Sequence, residues 1–294
     1  MTPLYSDNCL AFQIEGQDIK GRIIRLNKSL NAVLGNHSYP DAVKQQLGQA
    51  MALTAMLGSM MKFDGILTAQ IKSDGLIRTL VSDYATGGNG SGVVRGYCGL
   101  DEDASPVLGD GQLMITIDQG QYMDRYQGIV KLEGNSLKNS AEEYFLASEQ
   151  LPTHLMISCD KAEDGIWTAA AIMIQHLARS TVDEREMEIH APTERQDNWN
   201  TAKILLSSVK PTELLDHDLS LQDLLLRLFN ESGVRVFTTT EMITGCRCSE
   251  KKLRSVLASF SLDELKDCAE DGVITMTCEF CMTDHTFELD KLIN

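Results

Sequence analysis

Four cysteines near the end of the chain are the residues best placed to do chemistry. They form two close pairs, Cys246-Arg247-Cys248 and Cys278-Glu279-Phe280-Cys281, separated by residues 249–277. Paired sulfurs at such spacing can meet as four thiolates around one tetrahedral Zn²⁺. Four thiolates leave no open coordination position, so metal-assisted hydrolysis is not expected. A closed site can hold a small domain together. It can also respond to oxidants, because the thiolate is the oxidisable form of cysteine and oxidation removes ligands. A third use, a thioredoxin-type Cys-x-x-Cys, requires the pair to open a helix after a strand. Here Cys281 is followed by Met282-Thr283-Asp284-His285-Thr286-Phe287, which reads as a turn and a returning strand.

The segment between the pairs reads as structured. Ser249 is placed to cap a helix with Leu253, Val256, Leu257 and Phe260 on one face. Ser261-Leu262-Asp263-Glu264 is a capping-box pattern for a second helix. Asp271-Gly272 turns into the strand-like Val273–Thr277, which delivers the second pair. About 60 residues from Gly233 onward form a module with a core expected to supply only about 3–5 kcal/mol. Structural zinc supplies roughly 10–16 kcal/mol coupled to folding. Losing the metal is therefore expected to unfold this module.

The other cysteines read differently. Cys268 shares a helix face with Leu262 and Leu265 and is expected in a small core. Cys98 and Cys159 lie in strand-like runs and are expected to be buried, whereas Cys9 is expected to be open to solvent and unpaired. His37, His154, His176, His190 and His217 show no ligand spacing, and His285 is the one histidine near enough in sequence to compete as a ligand. The run Gly87-Gly88-Asn89-Gly90-Ser91-Gly92 lacks the Lys-Ser/Thr ending of a phosphate loop and reads as a hairpin loop. There is no Gly-x-Ser-x-Gly. No catalytic residues are assigned, and the protein is not expected to be an enzyme.

Residues 1–178 read as one α+β domain. Helices are expected over Ser29–Leu34, from Pro40 with Val43, Leu47, Ala50, Leu57 and Met61 on its buried face, and over Asn139–Glu149. Strands are expected at Ile66–Ile71, Leu76–Ser82, Gly92–Cys98, Leu113–Asp118, Gly128–Leu132, His154–Cys159 and Trp167–Gln175. Short strands with few helices point to an antiparallel sheet packed by helices. Residues 179–232 read as a linker: a polar, acidic tether over 181–200 without sustained period, then two amphipathic helices. Trp199, Ala202, Ile204, Leu205 and Val209 mark the first helix. Leu214, Leu215, Leu221, Leu224, Leu225, Leu228 and Phe229 mark the second, starting at Pro211. Trp199, Leu225 and Phe229 are the candidates for docking on the sheet. Residues 233–294 are the cysteine module. The fold class is thus α+β: a sheet-and-helix core, a helical linker and a small zinc-binding domain with four cysteine ligands.

Composition narrows the field. The 294 residues carry 26 basic and 42 acidic side chains, a net charge of −16, which disfavours generic nucleic-acid binding. No run approaches the roughly 18 apolar residues of a membrane span. The first residues show no basic n-region or long apolar stretch, so no secretory signal is expected. With eight cysteines in such a chain, metal or redox chemistry in the cytoplasm is favoured over a disulfide framework.

The Cys-x-Cys and Cys-x-x-Cys pairs about thirty residues apart resemble the heat-shock protein 33 family of redox-regulated holdase chaperones. The likeness extends along the chain through Asn36-His37-Ser38-Tyr39-Pro40, Lys62-Phe63-Asp64-Gly65, Arg125-Tyr126-Gln127-Gly128-Ile129-Val130 and Ser148-Glu149-Gln150-Leu151-Pro152-Thr153. Ala169-Ala170-Ala171-Ile172-Met173-Ile174-Gln175 and His285 depart from the family pattern without touching a ligand position. The resemblance implies one Zn²⁺ per chain on Cys246, Cys248, Cys278 and Cys281 in a reduced, inactive form. It implies that oxidants release the metal, with disulfides forming between neighbours, Cys246 with Cys248 and Cys278 with Cys281. The module and then the linker unfold, and the exposed surface holds unfolding client proteins without ATP, often as a homodimer, before passing them to ATP-dependent foldases. Two other readings stand beside it: a zinc-ribbon interaction module, and a thiol oxidoreductase using Cys278 and Cys281.

Overall fold

The structure, a computed structural model, describes residues 7–120, 124–132, 136–177 and 192–293. Its organising feature is a sheet with two buried faces. β1 (Asn8–Ile14) and β2 (Ile19–Leu26) form an antiparallel hairpin, Ile14 opposite Ile19. Along β1 the side chains alternate: Cys9 enters one core, while Leu10, Phe12 and Ile14 enter another on the opposite face. Strands β3 (Ile66–Ser73), β4 (Ile77–Thr86), β5 (Gly92–Leu100), β6 (Gly111–Asp118) and β7 (Tyr126–Lys131) follow as antiparallel neighbours. The pair β8 (Thr153–Lys161) and β9 (Trp167–His176) adds to β2. β10 (Val234–Thr244) completes a ten-stranded sheet in the order β7-β6-β3-β4-β5-β10-β1-β2-β9-β8. Its pairing with β5 is the one parallel ladder in that sheet among the described residues.

Helices α1 (Lys28–Leu34) and α2 (Asp41–Gly58) fill the concave face. α2 is buried at every position from Ala50 to Gly58, so it is engulfed rather than laid on a surface. Close approach requires glycine at its end: a Cβ on Gly58 would meet the Tyr84 ring at 2.2 Å. α3 (Leu137–Ser148) covers β7 and β8, its first turn capped by the Ser136 hydroxyl accepting from the Asn139 amide.

The opposite face of β1, β2 and β9 is covered by α4 (Pro192–Ser207), α5 (Pro211–Leu215) and α6 (Leu221–Phe229). Trp199, Ala202, Leu206, Leu224, Leu225 and Phe229 pack on Leu10, Phe12, Ile23, Ala170, Ile172 and Ile174. β9 therefore reads as a continuous apolar run because helices cover both its sides. Arg25 reaches out of β2 to tie this layer down. Its Nε and Nη2 donate to the Leu214 carbonyl at 3.0 and 2.9 Å, and Nη1 donates to the Leu219 carbonyl at 2.9 Å. These carbonyls flank the α5–α6 connection and would otherwise be buried without partners. Burial pushes the Arg25 guanidinium down to about 10.

Several expectations shift. The sequence pattern assigns no strand before residue 28, yet β1 and β2 lie there. The acidic tether is helical from Pro192, and residues 178–191 fall outside the described residues. In α4 it is Leu206 that is buried, while Ile204 stands 70% exposed. The helix expected from Pro211 is two helices, because the Ser220 hydroxyl caps a new start at the Asp223 amide. The expected start of the terminal module at residue 233 falls one strand early, since Val234–Thr244 hydrogen-bonds into the large sheet. Trp199, Leu225 and Phe229 do dock on that sheet.

Phe229 is 1% exposed and its ring centroid lies 5.9 Å from that of Phe12. Phe229→Ala is expected to loosen α4–α6 by about 3–5 kcal/mol. Hydrogen exchange checks it: protection should fall in residues 195–229 while α2 amides stay protected, and an unchanged pattern would show that the layer does not depend on this contact.

Candidate metal centre

β10 carries the chain to the centre. Its last residues pair with β5, Met242 with Gly92 and Thr244 with Val94, so Cys246-Arg247-Cys248 emerges from the end of a sheet strand. Ser249 then caps α7 (Glu250–Leu257), its hydroxyl accepting from the Lys252 amide at 3.3 Å. α8 (Leu262–Asp267) starts with the Ser261/Glu264 capping box expected from the sequence. β11 (Val273–Thr277) and β12 (Asp284–Glu288) pair from Val273↔Glu288 to Thr277↔Asp284. Cys278 and Cys281 occupy the turn between them. The Cys278 amide donates to the Thr283 carbonyl at 3.0 Å and the Met282 amide to the Cys278 carbonyl at 2.7 Å. Met282 takes the left-handed φ of 53° that lets this turn close.

The four sulfurs converge. All Sγ atoms lie within 4.8 Å of one another, with Cys246–Cys278 and Cys248–Cys281 both at 3.6 Å. A tetrahedral ion with thiolate bonds of about 2.3 Å needs sulfurs roughly 3.8 Å apart. Both 3.6 Å separations lie close to that value, so the four sulfurs suit such an ion with small adjustments. It is the one group of three or more potential ligand side chains found among the described residues. His285 is not part of it.

The cluster is also electrostatically uneven. Burial works to raise the Cys246 thiol, but the Cys248 backbone amide and the Cys248, Cys281 and Cys278 thiols outweigh it and bring Cys246 down to about 6. Cys248 is pushed up to about 12, by burial first and then by hydrogen bonds to the other three sulfurs. Burial is also the leading cause of the rise at Cys278. The first negative charge is thus held by thiols that must stay protonated to hold it. A bound cation would reverse that logic and favour thiolates throughout.

The remaining cysteines divide as their strands dictate. Cys98 and Cys159 are buried, and burial raises both thiols, Cys98 to about 12. Cys9, expected at the surface, is buried on the inner face of β1 with its sulfur 3.2 Å from the Ser59 hydroxyl. Cys268, expected in a core, is exposed as the C-cap of α8. The module's core is Leu257, Leu265, Ile274 and Phe287, while Val256 and Phe260, expected on the buried face of α7, are nearly half exposed.

Contacts with the sheet were not legible in the cysteine motif itself. On β5, Val94, Gly96 and Cys98 turn toward α2, so Arg95 and Tyr97 point the other way, toward the module. Asp83 on β4 is 5% exposed and accepts from three groups: Arg95 through Nε and Nη2 at 2.8 and 2.7 Å, Arg247 at 2.5 Å, and the Thr68 hydroxyl at 2.6 Å. Arg95 also lies 3.6 Å over the Phe280 ring and points Nη1 at the Cys246 sulfur, 3.8 Å away. Tyr97 meets Phe280 edge-on at 4.8 Å. The sequence signals were the residues inside the two pairs, Arg247 and Phe280, and an aspartate set in an apolar strand.

An α+β body with a four-cysteine centre gripped at its sheet defines a protein that holds a small cysteine-clustered module, able to take a metal, against a larger domain. A family model described as Hsp33 protein matches residues 7–288. The 33 kDa chaperonin of Caulobacter vibrioides is 39% identical over 297 residues, covering 95% of this chain and 94% of that protein. That of Shewanella denitrificans is 33% identical over 282 residues, covering 94% and 90%. The crystal structure of the 33 kDa chaperonin, heat shock protein 33 homolog, from Thermotoga maritima shares the fold with a TM-score of 0.79 over 98% of each chain, at 21% identity. The chain belongs to the Hsp33 family.

Asp83 is the strongest single tie between module and sheet. An exposed ion pair contributes about 0–1 kcal/mol, but removing one partner of a buried one costs about 3–5 kcal/mol. Asp83→Asn is expected to speed amide exchange across residues 246–288 while α2 stays protected. Equal protection in both proteins would mean that the module is held by other contacts.

Proposed function

We propose that this protein is an ATP-independent holdase chaperone switched on by oxidation of a four-cysteine zinc centre. The observation that carries the reading is the convergence of four sulfurs at the joint between a small-cored module and a large sheet. The names of its relatives support a chaperone role. In the reduced state Cys246, Cys248, Cys278 and Cys281 hold one Zn²⁺, which supplies the folding free energy that a four-residue buried core does not.

Oxidation removes these ligands. Each disulfide forms as two thiolates released from the metal give up two electrons to an oxidant such as hypochlorous acid, which takes up one proton from solvent and leaves as chloride and water. Following the family resemblance, Cys246 joins Cys248 and Cys278 joins Cys281. The cross-pair contacts at 3.6 Å make the four sulfurs mutually accessible before any bond forms. Unfolding of the module frees Arg247 from Asp83 and Phe280 from Arg95.

The chain then divides into the three functional parts read from its sequence: residues 1–178 as the body, 179–232 as the metastable linker and 233–294 as the switch, with β10 shared between switch and sheet. Loss of α4–α6 uncovers an apolar sheet face of Leu10, Phe12, Ile14, Ile19, Ile23, Ile172 and Ile174. Such a face is suited to unfolding clients, and to a second oxidised copy. Clients leave to ATP-dependent foldases on reduction. The net charge of −16 argues against nucleic acid as partner. Among the described residues no helix is long and apolar enough to cross a membrane, and a cytoplasmic setting suits a reduced four-thiolate site.

Zinc and activity should be measured on one sample. The reduced protein is expected to hold one zinc per chain and leave citrate synthase aggregation unchecked. Oxidation is expected to release the metal to a colorimetric chelator and suppress aggregation. Metal release without suppression would make the site purely structural and sink the holdase reading.

A further inference from the structure

Strand β5 has one edge that its neighbours leave half open. Its ladder to β4 runs the whole strand, from Gly92 opposite Thr86 to Leu100 opposite Ile77. Its ladder to β10 stops at Val94, where the chain leaves the sheet for Cys246. The Val94 carbonyl faces that edge, since it accepts from the Gly245 amide at 3.4 Å. By strand alternation the N–H and C=O of Gly96 and Cys98 face it too. No strand takes them up among the described residues. At Cys98 a side chain does so instead. The Tyr39 hydroxyl accepts from the Cys98 amide at 2.9 Å and donates to the Cys98 carbonyl at 2.8 Å. One hydroxyl thus makes the two bonds that a neighbouring strand would make. Gly96 has no such substitute among the described residues.

This plug belongs to the joint with the cysteine module. Tyr39 sits on the connection between α1 and α2, where Asn36, Ser38 and Pro40 are exposed. Its ring stacks on His37 at 4.6 Å, and His37 lies against the Phe280 backbone and Glu279. On the outer face of the same stretch of β5, Phe280 packs on Arg95 and Tyr97. The connection therefore plugs the edge while the module lays an aromatic side chain over the strand. With both in place, Gly96 and Cys98 are buried.

We propose that this edge of β5 is a client-binding site held shut in the docked state, which on release of the module takes up an extended segment of unfolded polypeptide. The segment's backbone pairs with Gly96 and Cys98, as in strand addition to an open sheet edge. An aromatic side chain on its outer face takes the place of Phe280 over Arg95 and Tyr97. Its inward side chains are apolar, because that face of β5 packs on Leu47 and Met51 of α2. The inference rests on the holdase reading and adds to it a site that recognises extended backbone.

Hydrogen exchange at single amides of the full chain tests it. Reduced, carboxymethylated lactalbumin serves as the unfolded client, and its binding is followed separately by fluorescence anisotropy. In the reduced protein Cys98 is expected to be protected, and Tyr39→Phe to speed its exchange at least about tenfold. Oxidation is expected to speed Cys98 exchange by a similar factor, and bound client to restore protection to Gly96 and Cys98 together. Tyr97, paired with Val81 on β4, should stay protected throughout, which shows that β5 remains folded. Client bound without protection at Gly96 and Cys98 overturns the edge site and leaves the holdase reading standing. No client bound at all sinks the holdase reading and the edge site with it. Cys98 still protected after oxidation, at any protein concentration, shows that the plug stays in and overturns the proposal. Protection that returns on oxidation alone and grows with protein concentration assigns the edge to a second copy, which overturns the client site as well. None of these outcomes needs a variant to fold.

Discussion

Strand β10 is the joint on which the architecture depends. The order β7-β6-β3-β4-β5-β10-β1-β2-β9-β8 makes it the hydrogen-bonded bridge between two halves of the sheet. Its ladder to β1 spans Val234 to Glu241, but its ladder to β5 holds only Met242, Ile243 and Thr244. The same strand is continuous with α6 at one end and with Cys246 at the other. The covalent chain therefore links the cysteines directly to the closing strand and, through it, to the helices that cover the sheet. No long-range pathway is needed when one eleven-residue strand touches all three parts.

Charge balance explains why the centre sits where it does. Two arginines converge on the single carboxylate of Asp83, which leaves one positive charge unmatched in a half-buried setting. Four thiolates around a divalent ion carry a net −2, and Arg95 points Nη1 at Cys246. A filled cluster would therefore face a partly opposing positive charge across the joint, where Arg95 also lies over the Phe280 ring. On the proposed oxidation, converting thiolates into disulfides would remove the negative partner, leave the arginine pair facing Asp83 alone and so weaken the electrostatic reason for the module to stay docked.

Much of this was legible from residue patterns, for reasons that differ by element. The four ligand candidates were visible because sulfur chemistry imposes spacing, and the Ser249 and Ser261 caps because helix ends impose residue types. The strands from β3 to β9 announced themselves by alternation and turns. β1 and β2 were missed because interleaved charges such as Lys20, Arg22 and Arg25 mask a pattern that becomes obvious only once both faces are known to be buried. β10 escaped because its exposed threonines resemble a loop, and its partners lie far away in sequence. The mistaken placements of Cys9 and Cys268 have a shared origin. One cysteine side chain carries too little apolar surface to reveal which face it occupies.

The proposed function asks the α4–α6 layer to be stable when docked and yet able to leave, and Arg25 bears on both demands. An interface made only of Phe12, Ile23, Ile172, Trp199, Leu225 and Phe229 would behave like any core, at about 1.5–3 kcal/mol for each large side chain buried. Placing a guanidinium inside that interface changes the balance. Docked, Arg25 is buried but its three hydrogen bonds to Leu214 and Leu219 compensate it. Undocked, the cation recovers full hydration, which offsets part of the apolar surface lost to water. Burial lowers the affinity of Arg25 for its proton, in the direction that cost requires, while the Asp216 carboxylate works the other way. A buried cation favours a specific seam, because its three hydrogen bonds are matched to the Leu214 and Leu219 carbonyls. It also makes the seam shallow, because leaving it is compensated. An apolar residue at position 25 would remove the buried charge but leave the Leu214 and Leu219 carbonyls without these donors. The charge keeps the docked state unique without making it permanent.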